Sequence, residues 1–186
     1  MKKAIILMLF IMTGCASTQS TSYVDPKYKN IKYSNYLIVT PSLSLEYSKY
    51  LQPMLCSKIK DNDAKCKGAL DLFLPTRSYD KTAIEKTLKG NDFDGVLLIT
   101  YDSNINTYKT DIIENTITAY SLESTKLMYS RNDLYSYILY DLKTMDKVMI
   151  GSSTTSAQGI SSTTDDTFAA SISRGIIKEL QINQLL

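Results

Sequence analysis

The side chains able to do chemistry in this 186-residue chain are few, and the missing one matters most: there is no histidine. That removes a histidine general base, Ser-His-Asp and Cys-His nucleophile systems, and imidazole metal sites. A serine could still be served by a lysine, yet the only candidates are Ser57-Lys58-Ile59-Lys60 and the neighbours Ser124-Thr125-Lys126, with no companion motif. Asp61-Asn62-Asp63 and Asn91-Asp92-Phe93-Asp94-Gly95 are acidic clusters. A calcium loop needs alternating oxygen ligands closed by a glutamate near its twelfth position. Leu72 and Asp102 stand there instead, so both clusters read as turn and strand-edge chemistry. The Ser/Thr-rich stretch from Gly151 to Thr164 has neither the GxxxxGK[ST] spacing nor any Lys or Arg for a phosphate, and reads as a polar edge strand followed by a loop. No cofactor motif remains, and enzyme activity is not expected.

Two features are left with two readings each. Cys56 and Cys66 are ten residues apart. They can pair, which would stabilise the fold by roughly 3 kcal/mol in the chain-entropy model, or stay as two buried thiols. Without histidine or a second cysteine pair they lack the ligands for zinc. Tyr129, Tyr135, Tyr137 and Tyr140 belong to strand-like segments. Strand alternation puts Tyr135 and Tyr137 on one face and Tyr140 on the other. Tyr135 and Tyr137 either pack beneath a helix, in keeping with tyrosine's strand propensity, or form an exposed partner surface, since tyrosine contributes large contact area at low entropic cost.

Cys15 has a more specific context. Lys2 and Lys3 are followed by the nine-residue apolar run from Ala4 to Met12. A spanning helix needs about 20 apolar residues, so a charged start with a short apolar core reads as a secretory signal peptide over residues 1–14. The run ends in Met12-Thr13-Gly14-Cys15-Ala16-Ser17, which resembles the lipobox of bacterial lipoproteins, with Met12 where leucine is commoner. An ordinary signal peptide with an incidental cysteine is the alternative. The resemblance implies a diacylglyceryl thioether on Cys15, usually with a third acyl chain on its amine; two or more chains anchor a protein stably where one does not. Ala16, rather than Asp, after the cysteine implies sorting to the outer membrane. An exported chain also meets an oxidising compartment, which permits a disulfide.

The elements that must carry these residues follow from periodicity. Residues 15–34 are polar with little apolar pattern and read as a lipidated N-terminus and flexible tether. Residues 35–186 read as one domain. Its expected elements are a buried strand at Asn35–Pro41, a helix at Ser44–Lys60 kinked or divided by Pro53, a short strand at Asp71–Pro75, and a helix at Tyr79–Lys89. A central strand at Phe93–Tyr101 follows, then strands at Ile117–Tyr129, Leu134–Leu142 and Lys147–Ser156, the last two joined by a turn at 141–147. Thr164-Asp165-Asp166 offers an N-cap for a closing helix whose Phe168, Ile172, Ile176 and Leu180 recur every four residues. The order β-α-β-α-β-β-β-β-α predicts an α/β (α+β) fold: a mixed, mainly antiparallel sheet with helices packed on one face.

The strand Phe93-Asp94-Gly95-Val96-Leu97-Leu98-Ile99, the hairpin Tyr140-Asp141-Leu142-Lys143-Thr144 with Lys147-Val148-Met149-Ile150-Gly151, and the closing helix together resemble small Gram-negative envelope lipoproteins. Their domains are of the type found at the amino terminus of TolB and in curli-secretion and penicillin-binding-protein-activating lipoproteins. Met149 stands where tryptophan is common in them. The resemblance implies a non-catalytic binding or assembly role in the envelope, with a protein partner of unstated identity, and carries over no functional residue. A small-molecule or peptidoglycan-binding lipoprotein, or a surface-displayed one, is the alternative. Charge adds one exclusion: Lys plus Arg is 21 and Asp plus Glu 19, a net +2, which offers no basic footprint for nucleic acid.

Overall fold

A computed structural model describes residues 16–104, 130–158 and 163–186; the strand expected at Ile117–Tyr129 lies outside them. Six strands form one sheet: β1 (Ser17–Val24), β2 (Asn35–Val39), β3 (Lys65–Gly68), β4 (Gly95–Asn104), β5 (Ser130–Asp141) and β6 (Lys147–Gln158). Their spatial order is β1-β6-β5-β4-β2-β3. The pairs β1/β6, β6/β5 and β5/β4 are antiparallel, and β4/β2 and β2/β3 are parallel. This is the expected mixed, mainly antiparallel architecture. The helices are α1 (Leu45–Lys60), α2 (Ala69–Leu72), α3 (Lys81–Lys89) and α4 (Asp165–Ile182).

The two long helices cover one face of the sheet. Ser44 starts α1, its Oγ accepting from Tyr47 N at 3.1 Å, and the helix buries Tyr47, Leu51, Leu55 and Ile59. Pro53 lies inside it without dividing it. Proline removes one i to i−4 bond, here to the carbonyl of exposed Lys49, while the buried stripe holds the flanking turns on the sheet. In α4, Phe168, Ile172, Ile176 and Leu180 are fully buried. At about 1.5–3 kcal/mol for each such side chain, this stripe outweighs any surface ion pair. Both helices rest on Tyr36, Ile38, Leu97, Ile99, Tyr135, Tyr137 and Leu139 of the sheet.

Two expectations are corrected. Residues 16–34 are not a flexible tether: Ser17–Val24 is the edge strand β1, paired along its length with β6. Hydroxyl contacts hold it in place of apolar periodicity. Thr18 Oγ1 meets Thr155 Oγ1 at 2.8 Å and donates to Ser171 Oγ of α4 at 2.8 Å, Ser20 Oγ meets Ser153 Oγ at 2.7 Å, and Ser22 Oγ donates to Glu179. Further on, Tyr28 and Tyr33 are buried. The strand expected at Asp71–Pro75 is also displaced. Lys65–Gly68 pairs with β2 as β3, and Ala69–Leu72 is a helical turn. Lys65 N donates to Ser34 O at 2.7 Å, and a disulfide joins Cys66 to Cys56 of α1. The short, lysine-bearing β3 also suits a sheet edge, where it discourages pairing with other chains.

Large and small residues interlock across β5 and β6 on the covered face. Tyr137 lies opposite Gly151, and a Cβ at 151 would stand 2.3 Å from Tyr137 Cζ. An unstrained Gly→Ala change stabilises by about 0.4–1 kcal/mol, so the sign here is diagnostic. Gly151→Ala should instead destabilise by about 1–3 kcal/mol, measured as a lowered denaturation midpoint, whereas Ser152→Ala on the opposite face should shift it little.

Candidate functional site

Because α1 and α4 lie on one face, the side chains of opposite parity form a second face. Its central feature is an apolar row running across five strands: Tyr23 of β1 opposite Ile150 of β6, Ile150 opposite Ile138 of β5, Ile138 opposite Leu98 of β4, and Leu98 opposite Val39 of β2. With strands about 4.8 Å apart, the row spans roughly 19 Å. Tyr23 is 64% and Ile150 48% exposed, and Ile138, Leu98 and Val39 are half-buried. Leu37, Val96 and Tyr140 extend the apolar surface on one side, in register. Thr21, Ser152, Ser136 and Thr100 border it on the other with a row of hydroxyls.

The helix α3 bridges part of this face, so the expectation that the helices pack on one face holds for α1 and α4 and not for α3. Asp80 caps it, Oδ1 accepting from Ala83 N at 2.7 Å. No residue of α3 is buried; the expected inward positions Ala83 and Leu88 are half-buried and Ile84 is exposed. Ile84 and Leu88 reach toward Leu37, Val39, Val96 and Tyr140 and leave an open, apolar-walled cavity of about 390 Å³ between helix and sheet.

Cys15 lies outside the described residues. Cys56 and Cys66 tie α1 to β3 on the covered side. Tyr135 and Tyr137 share a face, but it is the covered one: they are 1% and 0% exposed, so they are core and not a partner surface. The physical reason is the pairing partner. Their side of β6 presents Gly151 and Ser153, small enough for two phenol rings to lie beneath the helices. The other parity of β5, with Ile138 and Tyr140, reaches the second face. That small-against-large pattern was the signal in the sequence that separates the faces. The acidic clusters serve turns, as expected. Asp94 accepts from Ser34 N, Ser34 Oγ and Asn35 N at 2.7–2.8 Å, and Asp63 and Asp92 have positive φ.

A polar cluster sits where β5 meets the start of α4. Arg131 Nε donates to Asp133 Oδ2 at 2.7 Å and Nη1 to Asp165 Oδ1 at 2.6 Å, while its guanidinium lies 4.2 Å from the Phe168 ring centroid. Burial opposes the arginine's charge, and the two carboxylates outweigh it, so it stays protonated. Tyr135 Oη donates to Asp133 Oδ2 at 3.0 Å; the buried Asp133 Oδ1 and Tyr47 Oη have no hydrogen-bond partner among the described residues. Burial pushes the phenols of Tyr47 and Tyr135 well up, and that of Tyr101 to about 12. None of these three can act as a base near neutral pH. The cluster latches α4 to β5.

No family model matches the sequence, and no curated protein does. Among solved structures, the chain is similar to the PelC dodecamer from Paraburkholderia phytofirmans, with 11% identity over 91% of this chain and 99% of that one and a TM-score of 0.48. It is also similar to lipoprotein GNA1162 from Neisseria meningitidis, with 13% identity over 80% of this chain and 99% of that one and a TM-score of 0.45. At these identities and with TM-scores under 0.5, neither likeness assigns a partner, an assembly state or an activity.

The hairpin below the apolar surface is set by Asp141. Its Oδ1 accepts from Lys143 N and Thr144 N at 2.7 and 2.9 Å, and its Oδ2 from Tyr33 Oη at 3.0 Å. Burial pushes the carboxyl up, but these donors outweigh it and hold it below the usual carboxylate range. A folded-state pKa below the unfolded value, near 3.9, means that the stabilisation is complete above about 3.9 and is lost as pH falls through the lower folded value. Asp141→Asn should therefore be less stable than wild type by about 1 kcal/mol at pH 7. Denaturation series at decreasing pH should show that gap closing below about pH 4.

Proposed function

We propose that this chain is a lipoprotein of the outer membrane, anchored through acylated Cys15 and facing the periplasm, that serves as a non-catalytic docking or assembly module for another envelope component. The observation that carries the reading is the apolar row Tyr23–Ile150–Ile138–Leu98–Val39. Contiguous apolar surface on a soluble domain marks an interaction site, and the flanking hydroxyl row supplies the polar rim that such interfaces have. The lipobox pattern at Cys15 supports the anchor.

A second reading follows from the apolar cavity beneath α3, whose volume of about 390 Å³ falls in the range of small-molecule sites. Its walls would take an apolar ligand. The two readings separate cleanly. A photo-crosslinking residue at Ile150 in living cells should give one dominant adduct with an envelope protein, while the same residue at Lys178, on the outer side of α4, should not. Ile150→Asp should abolish copurification of that protein without loss of fold, and Cys15→Ala should shift the chain out of the membrane fraction. An identical set of copurifying proteins with Ile150→Asp contradicts the docking surface. The ligand reading predicts instead that Ile84→Trp, which fills the cavity, abolishes binding of an apolar fluorophore and that Ile150→Asp leaves it intact.

A further inference from the structure

The apolar cavity beneath α3 has charge at its ends as well as hydrocarbon on its walls. Leu37 of β2, Val96 of β4 and Tyr140 of β5 lie in register along its floor, and Ile84 and Leu88 of α3 roof it. One strand further on each side, the same register reaches a lysine: Lys67 of β3 opposite Leu37, and Lys147 of β6 opposite Tyr140. The two are four strand intervals apart, roughly 19 Å. The ends differ. Lys67 Nζ donates to Asn91 Oδ1 at 2.7 Å. At the other end, Lys143 and Lys147 flank Met145, which lines the cavity and is 67% exposed, so that this end opens to solvent. Neither ammonium group has a hydrogen-bond or ion-pair partner among the described residues. The carboxylates of the hairpin are engaged elsewhere. Asp141 accepts from Tyr33 Oη and the turn amides, and Asp146 Oδ2 accepts from Lys27 Nζ and Tyr28 Oη.

We infer that the cavity takes a single-chain lipid with an anionic head, its hydrocarbon beneath α3 and its head beside Lys143 and Lys147. This rests on the apolar-ligand reading proposed above. The walls decide the tail: they are apolar, and a polar group drawn between them would lose its hydration with nothing to replace it. The volume of about 390 Å³ suits one chain and is too small for a lipid with two. The hairpin end decides the head. A carboxylate or phosphate there keeps its water and gains charge-assisted contact with two ammonium groups. The helix gains as well. No residue of α3 is buried, and a hydrocarbon chain between helix and sheet adds apolar contact where few such contacts leave an element prone to local opening.

Parinaric acid, a fluorescent fatty acid, and its methyl ester would be titrated into the full chain carrying Cys15→Ala, so that no acyl chain of its own competes. Both should bind, the acid roughly fivefold more tightly at low salt, the scale of exposed ion pairs. That margin should vanish at about 1 M salt. Lys143→Gln combined with Lys147→Gln should bring the acid down to the ester's affinity and leave the ester's unchanged. Ile84→Trp should abolish binding of both. Saturating acid should slow hydrogen exchange of the α3 amides. Displacement of the probe by palmitate or by a lysophosphatidic acid then tells a carboxylate head from a phosphate one. Equal affinity for acid and ester, or a preference that survives loss of both lysines, overturns the anionic head and leaves the apolar-ligand reading standing. No binding of either probe, or binding that survives Ile84→Trp and leaves α3 exchange unchanged, overturns the head and that reading together.

Discussion

The close approach of α4 to β1 is the contact on which the rest of this structure depends, and Gly175 makes it possible. A Cβ at that position would stand 2.4 Å from Ser20 Oγ and 2.7 Å from Thr18 Cγ2. Without one, the helix comes near enough for Ser171 to hold both Ala16 and Thr18, and for Glu179 to hold Ser22. The same approach presses Phe168, Ile172, Ile176 and Leu180 onto the sheet. At the other side of the helix start, Arg131 and Asp165 fix the angle. Each hydroxyl pair contributes only about 0.5–1.5 kcal/mol net, but the donors and acceptors sit between a strand and a helix, where an unpaired one would cost about 1–3 kcal/mol. The strand is therefore held as much by the penalty for leaving as by the gain from staying.

Adding β1 to the sheet has consequences on both faces. On the covered side it completes the floor beneath α4. On the other side it carries Tyr23 into line with Ile150, and so lengthens an apolar row that would otherwise stop at β6. Among the described residues α1 and α4 are committed to the first face, and α3, with no buried residue, covers part of the second over Leu37, Val39, Val96 and Tyr140. The described residues thus leave an apolar surface uncovered. Any reading of this protein as a docking module depends on that asymmetry.

Much of the fold was legible in the sequence because apolar side chains write it. The four-residue repeat of α4, the run from Gly95 to Ile99 in β4, and the turn from Asp141 to Lys147 each have a burial or turn pattern with one physical reading. What was not legible was written in other terms. β1 reads as a tether because Ser17–Val24 pairs through hydroxyls, which look the same in a solvated chain. Lys65–Gly68 has no strand-like composition, and its pairing comes from β2 and the tie to α1. For Tyr135 and Tyr137, alternation fixes that they share a face but not which face; that choice lies in Gly151 and Ser153 across the ladder, visible only once β5 and β6 are set in register. The candidate site was missed for the same reason, since Ile138 and Ile150 become a row only through pairing.

The extended apolar row requires β1 to be part of the folded sheet, and native-state hydrogen exchange on the full chain measures that directly. The alternate amides of Ser17–Val24 that face β6 should exchange as slowly as the β6 amides beside them, because only opening of the sheet releases either. Exchange of all β1 amides at the rate of an unstructured peptide, with β6 still protected, would contradict it: residues 17–24 would then be a tether, and the extended apolar row would fall with them.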